Sequence, residues 1–229
     1  MKGVRKAPFR DVPNSPPSGS GAASSSSNFI MGTINSAIEL VKNPAGFITA
    51  HQGDPATRNE IMVKYVAVLA LIPLFATLIG NLWYYSLFAR FTLVGSFAAY
   101  AFVQAVLTYV LDVAAVYVIA IVIRMLAPTF NSTVDEIKSL KLAAYIFTPA
   151  FLIAILDIIP PLRGLTFLGV LYGLYILYIG LPIVLATPKD KVVTYVVAVV
   201  VATLVVFVVI GVIISLIAVL AFAASFGFF

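Results

Sequence analysis

Three polar side chains at the spacing of one helix face interrupt an otherwise apolar stretch of the chain. Gln104, Thr108 and Asp112 recur every four residues, so a helix would present them as one stripe. Asp112 precedes Arg124 by twelve residues, which is about 18 Å along a helix and close to the middle of a bilayer. A charged carboxyl at that depth costs roughly 2.5–3.5 kcal/mol on insertion scales, so it is a candidate for an ion or proton site.

Two interpretations of this stripe stay open. No lysine or arginine lies at the depth of Asp112, so its carboxyl could be neutral and form a hydrogen bond inside a helix bundle. Tyr172 and Tyr175, at similar depth on a later helix, are the candidate partners. Under the other interpretation, Asp112 relays ions or protons. The candidate intramembrane polar site is therefore Gln104, Thr108, Asp112, Tyr172 and Tyr175, with Asp112 facing the bundle interior.

Patterns of catalytic and metal-binding residues are missing from the sequence. It has no nucleophile–base pair, no phosphate-binding loop and no zinc-ligand spacing. One histidine and no cysteine leave little basis for a metal site and none for a disulfide. We expect no catalytic residues, no metal and no cofactor, and we predict that the protein is not an enzyme.

The apolar stretches predict a multi-pass membrane protein. Apolar residues make up 62% of the chain and charged residues 10%, far from the composition of soluble domains. From about Ile61 onward, apolar runs long enough to cross a bilayer alternate with short polar turns. We predict five spans: about 63–84, a second that ends at Arg124, 137–159, 165–185, and a fifth that opens near Val192. The uncharged sequence from Val192 onward favours one long or tilted helix over two spans joined by a turn.

The first 60 residues differ in character from the rest. Residues 1–27 are rich in serine, proline and glycine and are predicted to form a disordered cytoplasmic tail. Residues 28–60 are predicted to be an amphipathic interfacial segment. Its helix runs from Asn28 to Lys42, ends at Asn43–Pro44, and lies on the membrane surface or against the bundle. One face carries Ile30, Met31, Ile34, Ile38 and Val41. Residues 61–229 form the five-span domain.

Positive charges are distributed unevenly between the two predicted sides of the membrane. Only Arg90 and Arg163, two of the fourteen basic residues, fall in turns on the second side. Lysine and arginine are enriched in cytoplasmic loops, so the N-terminus is predicted in the cytoplasm and the C-terminus outside. Basic residues at a cytoplasmic membrane edge meet anionic headgroups. The expected partner is thus a bilayer containing anionic lipids, and the excess of positive charge requires no nucleic acid.

Several short motifs lie in the second half of the chain. They include Tyr145, Thr148, Pro149, Asp157, Pro160, Gly180, Pro182, Pro188, Lys189 and Asp190. With them, residues 40–210 resemble the Yip family, five-span proteins named for their interaction with Ypt/Rab GTPases, and are most similar to its prokaryotic branch. The resemblance implies an all-α, five-helix transmembrane bundle with a cytoplasmic N-terminus, in the cell membrane of a prokaryote.

The resemblance also implies a function class. Eukaryotic members are associated with vesicle trafficking, but their acidic motif with a Tyr-Gly-Pro core is not evident here. We expect a non-enzymatic membrane scaffold or adaptor that organises membrane partners or lipids, with other membrane proteins or further copies of itself as partners. The alternative is a small transporter or channel that uses the polar site around Asp112. Pro149 and Pro182, which would break two helices inside the membrane, favour that alternative.

Overall fold

The computed structural model describes residues 22–88 and 94–225. Within these ranges the chain is helical and contains no strand. Five helical segments are long and apolar enough to cross a membrane: Glu60–Tyr84, Ala101–Phe130, Glu136–Ile158, Pro160–Leu185 and Val192–Val209. The predicted all-α fold with five spans is confirmed. Most of the predicted disordered tail, residues 1–21, lies outside the described residues, as does Arg90.

Eight α-helices lie in the described ranges. They are α1 (Ala22–Lys42), α2 (Pro44–His51), α3 (Ala67–Leu69), α4 (Leu71–Phe88), α5 (Val94–Leu126), α6 (Glu136–Ile153), α7 (Phe167–Leu185) and α8 (Val192–Ser225). A π-helical segment, Glu60–Val66, leads into α3 and α4 and completes the first span. Two 3-10 helices, Ala154–Ile158 and Pro160–Thr166, join α6 to α7.

At one end of the bundle, ion pairs and a hydrogen bond hold the ends of several spans next to one another. Glu136, the first residue of α6, forms ion pairs with Arg58 before the first span and with Arg124 near the end of α5. The backbone N–H of Thr133 donates to the carbonyl of Leu185, the last residue of α7, at 2.8 Å. These residues define the basic end of the bundle, and the opposite end is called the far end.

The first two helices form a hairpin. Asn43 ends α1 and caps α2, since its side chain accepts a hydrogen bond from the N–H of Gly46 at 3.1 Å. Pro44 occupies the first position of α2, where a missing N–H costs nothing. The sequence of Asn43 and Pro44 predicts the end of α1 but not the start of a second helix, so α2 is absent from the prediction. The first helix itself begins at Ala22, six residues before the predicted start at Asn28.

Contacts at both ends of the hairpin show how far it reaches. The hydroxyl of Tyr172 donates to the carbonyl of Val41 at 2.7 Å. Tyr172 lies thirteen residues from Leu185, which is about 20 Å from the basic end. At the base, the ammonium of Lys141 donates to the carbonyls of His51, at 3.4 Å, and Asp54. The predicted amphipathic helix is thus present, but its end reaches deeper along the bundle than a surface-bound helix would.

The closest helix packing is between α6 and α7. A Cβ at Gly169 would lie 2.7 Å from Cα of Ala150, and one at Gly173 would collide with the carbonyl oxygen of Ile146. Glycines four residues apart on one face therefore let the two backbones approach each other.

The last span is a single helix over the described residues, as the sequence predicts. Its base is attached to α5, because the hydroxyl of Tyr195 donates to the carbonyl of Ile123 at 2.5 Å. The Tyr195 ring also stacks on Phe130 with centroids 4.5 Å apart. The helix from Val192 to Ser225 has 34 residues, or about 51 Å, so it is longer than a hydrocarbon core.

Candidate functional site

A cavity of about 740 Å³ lies between α5, α6, α7 and α8, with Asp112 in its wall. Asp112 and Thr203 are the two polar side chains among its nineteen lining residues. The other walls are aliphatic and phenylalanine side chains, such as Phe147, Leu171 and Leu204. Water is poorly stabilised in a space with so few polar groups, so the cavity is suited to hydrocarbon.

Asp112 is half-buried at this wall. Among the described residues, none donates a hydrogen bond to its carboxyl. The hydroxyl of Thr203, which lines the same cavity, is also buried with no hydrogen-bond partner in the described part of the chain. A carboxyl in this setting can hold a proton or accept a hydrogen bond from a bound molecule, but the described residues offer no cluster of ligands that would complete a metal-ion site.

Gln104, the first residue of the predicted polar stripe, takes part in a contact that does not include Asp112. Gln104 accepts a hydrogen bond from Asn81 of α4 at 3.0 Å, and Asn81 accepts one from Arg163 at 2.6 Å. This partly buried network joins two spans to the connection between α6 and α7 at the far end. Thr108 lies half-buried between Gln104 and Asp112 on α5. Gln104 therefore contributes to a contact between helices α4 and α5.

Among the described residues, Asp112 forms no hydrogen bond with Tyr172 or Tyr175, the two partners that the sequence suggests. Tyr172 points toward α1, where it donates to Val41, and Tyr175 is 48% exposed. For Tyr172, the reason is the helical phase. The α7 side chains on the cavity wall include Leu171 and Leu174, and at 100° per residue Tyr172 lies about 160° around the helix from Leu174. Similar depth does not bring side chains together when they lie on opposite faces of a helix.

Two of the family-motif residues, Tyr145 and Thr148, lie in the core between α2, the first span and α6. Both are almost fully buried. The Thr148 hydroxyl donates to the carbonyl of Ala144 at 2.9 Å and is 2.9 Å from the hydroxyl of Tyr65. Since Thr148 has one proton to donate, Tyr65 is the donor in the second bond. The Tyr145 ring packs edge-on against Phe47 of α2, with centroids 5.7 Å apart.

Other motif residues lie at helix contacts. Pro149 is buried in α6, and its carbonyl lies against Gly169. Gly180 of α7 packs closely against the side chain of Leu142. The backbone carbonyl of Asp157 meets Gly80 of α4 so closely that a Cβ at Gly80 would collide with it.

The last motif residues are at turns or inside α7. Pro160 begins the second 3-10 helix, and Pro182 lies within α7. Between α7 and α8, the carbonyl of Pro188 accepts from the N–H of Lys191 at 2.9 Å. Lys189 and Asp190 in this turn are exposed. The motif thus combines residues of the helix core with a basic turn.

Lys141, which no motif in the sequence singles out, is buried in the structure. Its side chain is 3% exposed, and its ammonium holds the segment that follows α2 through the carbonyls of His51 and Asp54. The sequence gives a partial signal for this, because Lys141 directly precedes the apolar run of residues 142–147.

The five apolar helices define an integral, multi-pass membrane protein. The family model of the Yip1 domain matches residues 38–211, and the chain therefore belongs to the Yip1 domain family. This confirms the resemblance found in the sequence. No curated protein and no solved structure matches the chain.

Proposed function

We propose that this chain is a non-enzymatic membrane scaffold or adaptor that organises lipids and membrane protein partners. The supporting observation is the wall of the cavity around Asp112, where seventeen of nineteen lining residues are apolar. Selective passage of ions or polar solutes requires a series of polar or charged groups along the path. A single acid on a hydrocarbon wall does not supply that series, whereas an apolar cavity within the bilayer accommodates lipid chains or an apolar partner.

The orientation follows from the charges. We place the basic end in the cytoplasm, the N-terminus on that side and the C-terminus outside. Arg58 and Arg124 share Glu136 at this end, and Lys189 is exposed in the turn before α8. The hydrogen bond and the charge of Glu136 raise the pKa of Arg58. Two arginines share this one carboxylate, so together with the exposed Lys189 they leave the basic end with an excess of positive charge for anionic headgroups. The membrane is proposed to be the cell membrane of a prokaryote, in keeping with the resemblance to the prokaryotic branch.

One observation favours the rival function, a small transporter or channel. Asp112 lies on the wall of a cavity with no described hydrogen-bond donor, as a proton-carrying acid would. Further copies of the chain could add the helices that a single copy lacks to enclose a path.

Flux measurements in proteoliposomes distinguish the two functions. Proton flux is followed with an enclosed pH-sensitive dye, and Na⁺ and K⁺ flux with ion-sensitive dyes, for the native chain, Asp112→Asn and Asp190→Asn. The second variant is the matched control, since it removes an acid from the exposed turn. We expect all three vesicle preparations to leak no faster than empty liposomes. Flux that needs the protein, stops in Asp112→Asn and persists in Asp190→Asn would establish the transporter and overturn the scaffold.

A further inference from the structure

The cavity around Asp112 has the size and composition of a ligand site. Its volume of about 740 Å³ lies in the range of roughly 300–1,000 Å³ for small-molecule sites, whose walls are mostly apolar with a few polar groups. Four helices form its walls, and three lining residues, Phe167, Leu171 and Leu204, are exposed. The cavity is therefore open to the hydrocarbon around the bundle, and a lipophilic molecule can enter it from the bilayer.

The charge in the cavity favours a positive ligand. Asp112 is the one ionisable residue among the nineteen that line it, and none of the ion pairs in the described part of the chain involves its carboxyl. A carboxylate attracts a cation strongly in surroundings of low dielectric constant. Acids at this depth in a membrane are costly, and they usually pair with an opposite charge. An anion is repelled here, whereas a cation gains that pairing.

Phenylalanine rings add a second feature that suits a cation. Phe147 of α6, Phe167 of α7 and Phe207 of α8 line the cavity. Phe147 comes eleven residues after Glu136, about 17 Å from the basic end, and Asp112 is about 18 Å from that end. This ring and the carboxyl therefore line one cavity at the same depth, with Phe207 about 5 Å farther from the basic end. The face of such a ring attracts a cation within about 6 Å, so a cation beside Asp112 also has aromatic neighbours.

We infer that the cavity binds a lipophilic cation, a molecule in which one positive charge is surrounded by apolar groups. The charge pairs with the carboxylate of Asp112, and the apolar groups contact the hydrocarbon walls and the phenylalanine rings. A metal ion is a poor fit, because the described residues hold no cluster of histidine or acidic ligands to replace its water. A phospholipid headgroup is equally poor, since it lies at the membrane surface, about 15 Å from the midplane. The inference does not depend on the scaffold function, because a scaffold and a transporter can both bind such a molecule.

Binding of tetraphenylphosphonium tests whether the cavity takes such a molecule. In this probe four phenyl rings surround a single positive charge, and tetraphenylborate is an anion of nearly the same size and shape. Binding to the full chain in detergent is measured by equilibrium dialysis, with protein-free micelles as the blank. We expect saturable binding of about one phosphonium ion per chain, at least about tenfold tighter than the binding of tetraphenylborate, because only the cation pairs with Asp112. If the phosphonium ion does not bind saturably, or if the two ions bind equally well, the inference is wrong.

Substitutions of the acid locate the bound cation. Asp112→Asn keeps the shape of the side chain but removes its charge, so we expect it to weaken phosphonium binding by about tenfold or more. Asp112→Glu keeps the charge and should retain most of the binding. Asp190→Asn is the matched control, because it removes an acid from the exposed turn before α8, and it should bind as the native chain does. Native affinity in Asp112→Asn, or an equal loss in Asp190→Asn, would show that the cation does not bind at Asp112.

A phenylalanine substitution tests the same site without changing the carboxyl, so the inference stays testable even if Asp112→Asn fails to fold. Phe207→Leu keeps the wall apolar but removes the ring, and we expect it to weaken phosphonium binding about two- to fivefold. Phe75→Leu is the matched control, because Phe75 of α4 is exposed to a similar extent, 54% against 42% for Phe207, and lies outside the cavity. If Phe207→Leu and Phe75→Leu both bind the ion as tightly as the native chain, the ion is not in this cavity.

Discussion

At the scale of single residues, buried and partly buried polar groups in the described part of the chain connect one helix to another. Lys141 holds the base of the hairpin, Tyr172 holds its tip, and Tyr65 joins the first span to Thr148. In each bond, a side chain of one helix reaches the backbone or hydroxyl of a different element. Such bonds fix how the elements are arranged, because an unpaired buried polar group is costly in the alternative packing.

Replacing Lys141 by methionine should loosen the hairpin. The substitution keeps the apolar stem but leaves the carbonyls of His51 and Asp54 without their donor, at a cost of about 1–3 kcal/mol. We expect faster hydrogen exchange across α2 and the residues after it, measured by mass spectrometry in detergent. Lys138→Met, one turn earlier on α6, is the control and should leave exchange unchanged. Unchanged protection of α2 in Lys141→Met would mean that the lysine does not hold it.

At the scale of elements, the close packing of α6 against α7 requires that Gly173 has no Cβ. A Cβ there would meet the backbone oxygen of Ile146, which cannot move aside as the end of a flexible side chain could. Gly32 of α1 is the matched control, since a Cβ at that position has no neighbour within 4 Å.

Gly173→Ala is therefore expected to lower the free energy of unfolding by about 1–3 kcal/mol. Gly32→Ala should raise it by about 0.5–1 kcal/mol, the usual gain from replacing a helical glycine. Unfolding in a graded detergent mixture measures both. If the two substitutions change the free energy of unfolding equally, α6 and α7 are not closely packed at Gly173.

The helices that consist of long apolar runs could be predicted from the sequence, whereas the elements that form through tertiary contacts could not. The spans and the single helix α8 follow from apolar length alone. The helix α2 is only eight residues long, and its stability comes from packing Phe47 and Ile48 against α6 and α7. The sequence suggests Tyr172 as a partner of Asp112, yet the two form no hydrogen bond, because depth along a helix can be counted in the sequence, whereas the mutual rotation of two helices cannot.

At the scale of the whole molecule, the described charges separate into a basic end and a far end. The basic end holds Arg58, Arg124 and the turn with Lys189, and the far end holds Arg163 within a partly buried network. Lys42 is an exception to the predicted distribution, because it lies at the tip of the hairpin. The separation is the physical basis for the proposed orientation.

Cysteine labelling checks this orientation. Single cysteines at Lys189, in the exposed turn of the basic end, and at Leu165, 44% exposed near the far end, are treated with a membrane-impermeant maleimide. We expect Leu165→Cys to react in intact cells and Lys189→Cys to react only after permeabilisation. The reverse pattern would place the basic end outside the cell.

We propose that the protein gathers anionic lipid at its basic end. The most direct test of this proposal is the lipid composition of nanodiscs cut from the membrane around the protein, measured by mass spectrometry. We compare the native chain with a variant carrying Lys189→Gln and Lys191→Gln, and with a control carrying Lys189→Arg and Lys191→Arg, which keeps the charge. Each surface cation contributes about 1 kcal/mol to the attraction of anionic lipid. We predict enrichment of anionic lipid around the native chain and the arginine control, and a several-fold loss in the glutamine variant. If the lipid around all three proteins has the same composition as the bulk membrane, the protein does not gather anionic lipid.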